Sequence, residues 1–437
     1  MNFKNWFKKS PALAEPVIKK SFSYSLSPDS FLAQAFAGGT ITANKAMLLY
    51  RSTAAVATAV DMIADPIEQI KPVLEMPDGK FVSNHPVLDL LNKPNGFSNW
   101  NLFIGELARN YLLKHDSLIT SVGNVKRPPI ECWPVNLQVV SIMQAMDGYP
   151  ASYMVSNGVL TGVYERVEGK TSDATRFYEG RLKELYHIKG FSSRYNHLES
   201  DSPLEAAAME AQQIIKGKYH NVKLLENGGR LSLMITFNDD DYVTDDEHQE
   251  RVQRLNEQWG GVNNTGKIGV VSGADVQHVK EFGKSNKDMD FAVLETLAGQ
   301  AIYLRYKIPL SLVTTDASTF NNMKTGVELL YDNAIIPTIT TLMNGLSHFM
   351  LPRFKLDPLT YRITYNPEDI EPLKNRKLDE LLKRRKINIE TPNELRATIP
   401  GLEALPGEDE LSGKPSEADS NESDENSDND DKNKEGK

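Results

Sequence analysis

The chain has one cysteine, Cys132, in 437 residues. No internal disulfide can form, and nothing points to an oxidising compartment. No run approaches the roughly 18 consecutive apolar residues of a membrane-spanning helix, so no membrane partner is expected. The eight histidines are scattered. None forms an H-E-x-x-H or other close pairing, and no metal site is predicted. No G-x-S-x-G elbow is present, and Cys132, beside Trp133-Pro134, reads as structural rather than nucleophilic. No catalytic residue and no cofactor is assigned, and the chain is expected not to be an enzyme. Met1 to Lys9 is basic and aromatic, but no apolar signal-peptide core follows it.

The chain also lacks net charge where a folded body would carry it. The total is −10, but from Glu403 onward thirteen acidic residues face four lysines, leaving −1 for everything before. The tail from about Leu411 is Ser, Asp, Glu, Asn and Lys with almost nothing to bury, and its composition predicts disorder. A near-neutral body does not favour tight nucleic-acid binding, which needs clustered Lys and Arg to displace counterions. A protein that lets a polyanion slide past would avoid such a cluster too.

What is present is organised around Ser202 to Met323. Ser202-Pro203-Leu204-Glu205 offers a capping serine, a proline at the first helical position and a glutamate spaced to bond back. Leu204, Ala208, Ala211, Ile215, Tyr219 and Val222 then recur in steps of three and four, and Gly228-Gly229 ends the helix. A second helix starts near Asp288 or Asp290, carries Phe291, Leu294, Leu297, Ala298, Ala301 and Ile302, and stops at Pro309. The stretch from Ser311 to Asn322 is polar and short of charge. Two long helices joined by an inserted lobe suggest a lever or a wall rather than a catalytic pocket.

Before this stretch, the pattern predicts a helix from Ala46 to Ile63 ended by Pro66, with a strand from Ile67 to Glu75. A short helix follows at His85 to Leu91, a turn at Lys93 to Gly96 and a helix at Asn99 to Tyr111. Strands are expected at Leu118 to Val122, around Ile130 to Ile142, in a hairpin about Asn157-Gly158 and at Glu184 to Ile188. Residues 46–200 thus form an α+β lobe. The insert from Leu231 to Phe282 reads strand, helix (Thr244 onward, with Val252, Leu255 and Trp259 on one face), strand, strand. It is too small for independent stability and is better packed against copies of itself. After the polar loop come a long helix from Lys324 to Leu351 kinked at Pro337, a strand at Tyr361 to Tyr365 returning to the first lobe, a charged helix at Pro372 to Lys386, and a last helix capped by Thr391-Pro392-Asn393-Glu394.

Two motifs invite chemistry. Gly261-Val262-Asn263-Asn264-Thr265-Gly266-Lys267 matches a phosphate-cradling loop up to the lysine, but Ile268 stands where Ser or Thr would hold magnesium. It also follows a helix and opens a strand, the reverse of a phosphate loop. A plain turn is favoured, and a nucleotide-dependent phosphotransferase is the alternative. Asn238-Asp239-Asp240-Asp241 lacks the spacing and glycine of a calcium loop and reads as a solvated loop.

Six stretches, in order, resemble the portal proteins of tailed bacteriophages of the Hong Kong-97-like family. They are His85-Pro86-Val87-Leu88 through Asn92-Lys93-Pro94-Asn95; the next helix with Asn124; Trp133-Pro134-Val135-Asn136; Tyr186 to Ser192 followed by Ser202-Pro203-Leu204-Glu205-Ala206-Ala207; Ile308-Pro309-Leu310-Ser311-Leu312 with Thr319-Phe320-Asn321-Asn322; and Thr391 to Arg396. The resemblance covers roughly residues 46–403. Ile308 and Asp201 depart from residues common in the family.

The resemblance implies an α+β portal-type ring subunit, usually one of twelve at a single capsid vertex, conducting double-stranded DNA. After an N-terminal arm (1–45), the wing would be 46–200, the stem helices 201–229 and 288–310, the clip 230–287 and the tunnel loop 311–322. Residues 323–365 would give the long wing helix and return strand, 366–405 a short helical crown and 406–437 the acidic tail. Thr314, Thr315, Asp316, Ser318, Thr319, Phe320 and Asn321 would face DNA with weak, replaceable contacts. Lys216, Lys218 and Lys223 would either attract phosphates along the stem or form an ordinary solvated face. Arg251, Arg254 and Trp259 would lie in the clip interface. Implied partners are other copies of the chain, DNA, the terminase large subunit that supplies ATP hydrolysis, a head-tail adaptor and the major capsid protein. The implied location is the virion, reached from the host cytoplasm. A helical assembly scaffold without a DNA channel is a further alternative.

Overall fold

A computed structural model describes residues 40–123, 128–144, 149–156, 161–166, 184–193, 198–226, 232–237, 253, 268–270, 276–282, 291–314, 320–387, 391–397 and 405. The chain divides into two units, one of Ile41–Ile214 with Asp290–Lys437, the other of Met1–Thr40 with Ile215–Met289.

The larger unit opens with α1 (Ala43–Ser52) and α2 (Ala54–Gln69), bent by 103° between them. The single helix expected from Ala46 is therefore two. Thr53 breaks it by adopting extended backbone, a conformation that suits a β-branched residue. Nor does Pro66 end α2, and the following strand β1 is only Val73–Glu75. Two tertiary anchors hold the last turn despite the proline. Ile63 and Ile67 are fully buried, and Asp61, Asp65 and Glu68 converge on Arg109 of α4 (Trp100–Lys114).

Local signals account well for α3 (Pro86–Asn92) and α4. His85 Nδ1 and Asn99 Oδ1 accept the orphan N–H groups of Val87 and Leu102. Phe103, Ile104, Leu107 and Ala108 bury one face of α4, and the Trp100 indole donates to the Ile70 carbonyl at 2.7 Å. Gly105 is required where α4 meets α2, because a Cβ there would strike the Glu68 side chain.

Beside β1 lies β2 (Phe81–Val82). Six further strands make one sheet: β3 (Asp116–Val122), β4 (Glu131–Val135), β5 (Val140–Gln144), β6 (Pro150–Val155), β7 (Gly162–Arg166) and β8 (Glu184–Lys189). Their order is β4-β3-β8-β7-β6-β5, antiparallel in each pair named except β7-β8, which is parallel. Leu118 lies opposite Val135 on one side and His187 on the other, and Leu118, Val135, Tyr153, Val155, Tyr164 and Leu185 fill the core. The hairpin turn at Asn157-Gly158 lies outside the described residues. Cys132 is buried with its sulfur 3.6 Å from Met350 Sδ, and burial pushes its thiol up to about 12, as befits a packing residue.

The long C-terminal helix begins at Phe320, earlier than its periodicity suggests. It runs as α7 (Phe320–Leu330), a π-helical turn (Tyr331–Ile335) and α8 (Ile336–Met350). The widened turn sits just before Pro337, which has no N–H to donate and would crowd the carbonyl one turn back; the expected kink is replaced by this turn, and Asn322–Phe354 remains one helix. That helix is long and apolar enough to cross a bilayer, but 67% of its apolar window is buried, and Ile339, Leu342, Leu346 and Phe349 are core residues. Strand β12 (Arg362–Thr364) returns to β1, with Leu74 opposite Ile363. Next come α9 (Glu371–Ile387) and α10 (Pro392–Ala397), where Thr391 and Glu394 close a reciprocal capping box.

Helix α5 (Ala208–Glu226) carries the chain out of the larger unit, and α6 (Phe291–Arg305) lies after its return. In the smaller unit, β9 (Ser232–Phe237) is flanked by β10 (Ile268–Val270), parallel, and β11 (Val276–Phe282), antiparallel. A parallel pair needs a crossover of a dozen or more residues, and the segment between Phe237 and Ile268 supplies it. The predicted helix falls in that segment; Gln253 within it is described and is helical, while Trp259 lies outside the described residues.

Candidate functional site

The end of α4 and the start of β3 carry a run of buried polar residues that sequence reasoning did not single out. Asp116 accepts from the Ser200 N–H (2.9 Å) and hydroxyl (2.6 Å), and His187 Nε2 lies 3.0 Å from it. Tyr153 Oη is 3.1 Å from His187 Nδ1, so the imidazole bridges the tyrosine and Asp116. Lys114, 3% exposed, donates to the Ser200 carbonyl at 2.8 Å and pairs with Glu199 at 3.2 Å. Burial alone would raise the Asp116 pKa, but hydrogen bonds from His187 and Ser200 hold it below the usual carboxylate range.

This hub roots both long helices. Ser202 donates to the Leu113 carbonyl at 2.6 Å while accepting from the Leu204 N–H, which fixes the 3₁₀ turn Pro203–Glu205 ahead of α5. The Glu205 carboxylate accepts from the Ile41 N–H. From α6, Arg305 Nε donates to the Pro203 carbonyl at 3.1 Å, and buried Tyr306 donates to the Leu112 carbonyl at 3.1 Å. Burial raises the Tyr306 pKa, which keeps it a donor. A cavity of about 120 Å³ adjoins the hub, lined among others by Lys114, Asp116, Gln138 and Glu199. Its two buried charges already have partners, and it has room for a few waters.

The polar loop leaves from the same root. Lys307 takes left-handed backbone (φ 60°), Ile308 is buried, and Pro309 precedes the 3₁₀ turn Leu310–Leu312. That turn packs on α7 at Gly326, where a Cβ would lie 2.6 Å from Ser311 Oγ and 3.2 Å from the Leu312 side chain. Both feet of the loop are thereby held together.

The predicted site residues fall as follows. Thr314 donates its hydroxyl to the Leu310 carbonyl at 2.8 Å, fastening one end of the loop. Thr315, Asp316, Ser318 and Thr319 lie outside the described residues. Phe320 and Asn321, expected in the loop, begin α7, because their backbone already continues the long helix. Lys216 and Lys218 are exposed on α5, and Lys223 pairs with Glu226 at 2.7 Å above the Tyr219 ring. Seven residues bring Lys216 and Lys223 to one helical face, whereas Lys218, two along, points away from it. Arg251, Arg254 and Trp259 are outside the described residues, as are Gly261 to Lys267. Ile268 is the first residue of a strand, where a phosphate loop would open a helix. Among the described residues, no three His, Cys, Asp or Glu cluster to hold a metal.

Helices α6 and α7 show a second feature. The first half of α6 is exposed although apolar, with Val293 at 48% and Leu297 at 56%; Ala298 and Ile302 in its second half are buried. Met323, Val327 and Leu329 of α7 are also exposed. Such patches mark surfaces meant for a partner.

A mixed α and β lobe thus roots two helices and pins the feet of a polar loop. The family of phage portal proteins matches residues 54–399, and the chain belongs to that family. An uncharacterized protein of Rickettsia bellii (strain RML369-C) is 26% identical over 369 residues, 83% of this chain and 90% of the relative. Among solved structures, the neck of an empty gene transfer agent particle computed with C6 symmetry is similar with a TM-score of 0.60 at 19% identity, covering 83% of this chain and 94% of the other. The neck of the native particle computed with C12 symmetry gives 0.58 at 19% identity, over 86% and 98%. Both likenesses concern the fold.

Proposed function

We propose that this portal-family chain forms a closed ring through which double-stranded DNA enters and leaves a capsid. The observation that carries the reading is the shared root of α5 and α6. The hub fixes the start of α5 and the end of α6, and the exposed apolar half of α6 needs a neighbour to cover it. Identical copies arranged in a ring supply that neighbour at every position. The membership of the family and the likeness to particle necks support the same reading.

In this account α5 and α6 wall the channel, and residues 313–319 form its inner rim. The three Thr, one Ser and one Asp of this rim, set beside Val313 and Ala317, offer DNA exchangeable hydrogen bonds to the backbone and no sequence readout. Lys216 and Lys223 add shallow attraction on one face of α5. A body near neutral does not hold the polyanion. The small unit around β9 forms an intersubunit belt that takes a packaging motor and later a head-tail adaptor, and the wing meets the capsid protein. The chain itself performs no catalysis, works in the virion, and is assembled in the host cytoplasm.

Electron images of the purified full-length chain test this. Rings with a central hole wide enough for a duplex are expected. Compact single copies, or solid clusters without a hole, would refute it.

A further inference from the structure

Helix α9 carries more positive charge than its fold uses. It holds seven Lys and Arg against three Glu and Asp, with Lys383-Arg384-Arg385-Lys386 at its end. Two of the earlier cations, Arg376 and Lys377, have structural duties. Arg376 grips Asp332 at 2.7 Å, and Lys377 pairs with Glu368 at 2.7 Å. Two of the three acids are taken as well: Asp379 pairs with Lys324, Glu380 with Arg384. Lys374, Lys383 and Arg385 are exposed and have no ion-pair partner among the described residues. A helix C-terminus carries roughly half a negative charge, which one cation satisfies. Leu378 and Leu382, 45% and 56% exposed, lie on the face that Lys374 and Arg385 share, while Lys383, two residues before Arg385, points to the other side of this exposed last turn.

The chain returns to this helix and is held near it. Leu405 exchanges two hydrogen bonds with Asn393 of α10, at 2.7 and 2.8 Å, and α10 packs against α9. The 32 residues beyond Leu405 carry twelve acidic side chains and four lysines. At about 3.3 Å per residue they span on the order of 100 Å, while α9 is about 25 Å long. A segment of opposite charge, tethered beside an unsatisfied patch, has a high local concentration there.

We infer that the acidic tail of each copy docks on the basic end of its own α9, as an internal polyanion that denies the patch to nucleic acid. This surface does not depend on the ring reading. The tail's carboxylates pair with Lys383, Arg385 and Lys374, and the association is one of many weak, screened pairs rather than a few strong ones.

Zero-length carbodiimide cross-linking of the full-length chain, read by mass spectrometry, tests the docking. Near 0.1 M salt, tail carboxylates are expected to join Lys383 at least about fivefold more often than exposed Lys80, Lys93 or Lys355, and near 1 M salt this preference should vanish. In a mixture of normal and ¹⁵N-labelled copies the links should stay within one chain. Even scatter over the lysines, or links between copies, would overturn the inference. A second measurement uses a short duplex DNA as probe. A chain ending at Gly407 should bind it about tenfold more tightly than the full chain at low salt, and K383E/R385E in the shortened chain should remove that gain. Equal affinity of full and shortened chains would show the patch uncovered and overturn the inference.

Discussion

At the scale of the residue, Gly105 faces a cluster of charges that an added side chain would disturb. Arg109 is held by Asp61 at 3.1 Å, by Asp65 at 2.6 Å and by Glu68. Burial opposes its charge, but the bonds to Glu68 and Asp61 outweigh this and raise its pKa. Gly105→Ala would push Glu68 out of that cluster, and a loss of about 1–2 kcal/mol is expected in denaturant unfolding. A neighbouring pair of groups sets the pH response. Burial, with Arg305 nearby, holds the His115 pKa below its ordinary value. The unfolded chain then binds that proton more readily, so stability falls as pH drops through about 6.5. Asp116 is also held below its ordinary value; its stabilisation is complete above about pH 4 and is lost as pH falls further. Melting temperatures should therefore decline from pH 8 to 5.5 and again below 4. His115→Asn, which tolerates the left-handed backbone at that site (φ 57°), should flatten the first decline only.

At the scale of the element, the loop and its feet form the testable unit. Gly326→Val would drive the 3₁₀ turn Leu310–Leu312 off α7. Cleavage by chymotrypsin between Leu310 and Phe320 should accelerate about tenfold at unchanged melting temperature. An unchanged cleavage rate would show that the glycine does not pin the loop. This scale also shows what sequence could reveal. Helix starts at His85-Pro86, Asn99 and Thr391 were legible because their caps are local chemistry within four residues. The strand at Tyr361 to Tyr365 and its return to the first lobe were legible, but not its pairing with β1. The break at Thr53 was not, since no Gly or Pro marks it, and Pro66 misled because the anchor that overrides it, Arg109, is more than forty residues away. The hub was missed for the same reason. Lys114 and Asp116 look like ordinary surface charges until Glu199, Ser200 and His187 fold over them. Their one signal was a charged triplet, Lys114-His115-Asp116, set between an apolar helix and an apolar strand.

At the scale of the whole molecule, each copy presents apolar surface it does not cover itself. Val293, Leu294 and Leu297 of α6 and Val327 of α7 are all exposed. Burying a Leu side chain is worth about 2 kcal/mol, and a closed ring repeats that gain at every interface. A native mass spectrum of the full-length chain tests this most directly. One discrete assembly at a fixed multiple of 48.9 kDa is expected, falling to single copies when Leu297→Asp places a charge on α6. A wild-type spectrum with only the 48.9 kDa species, or an unbroken series of multiples, would contradict the account.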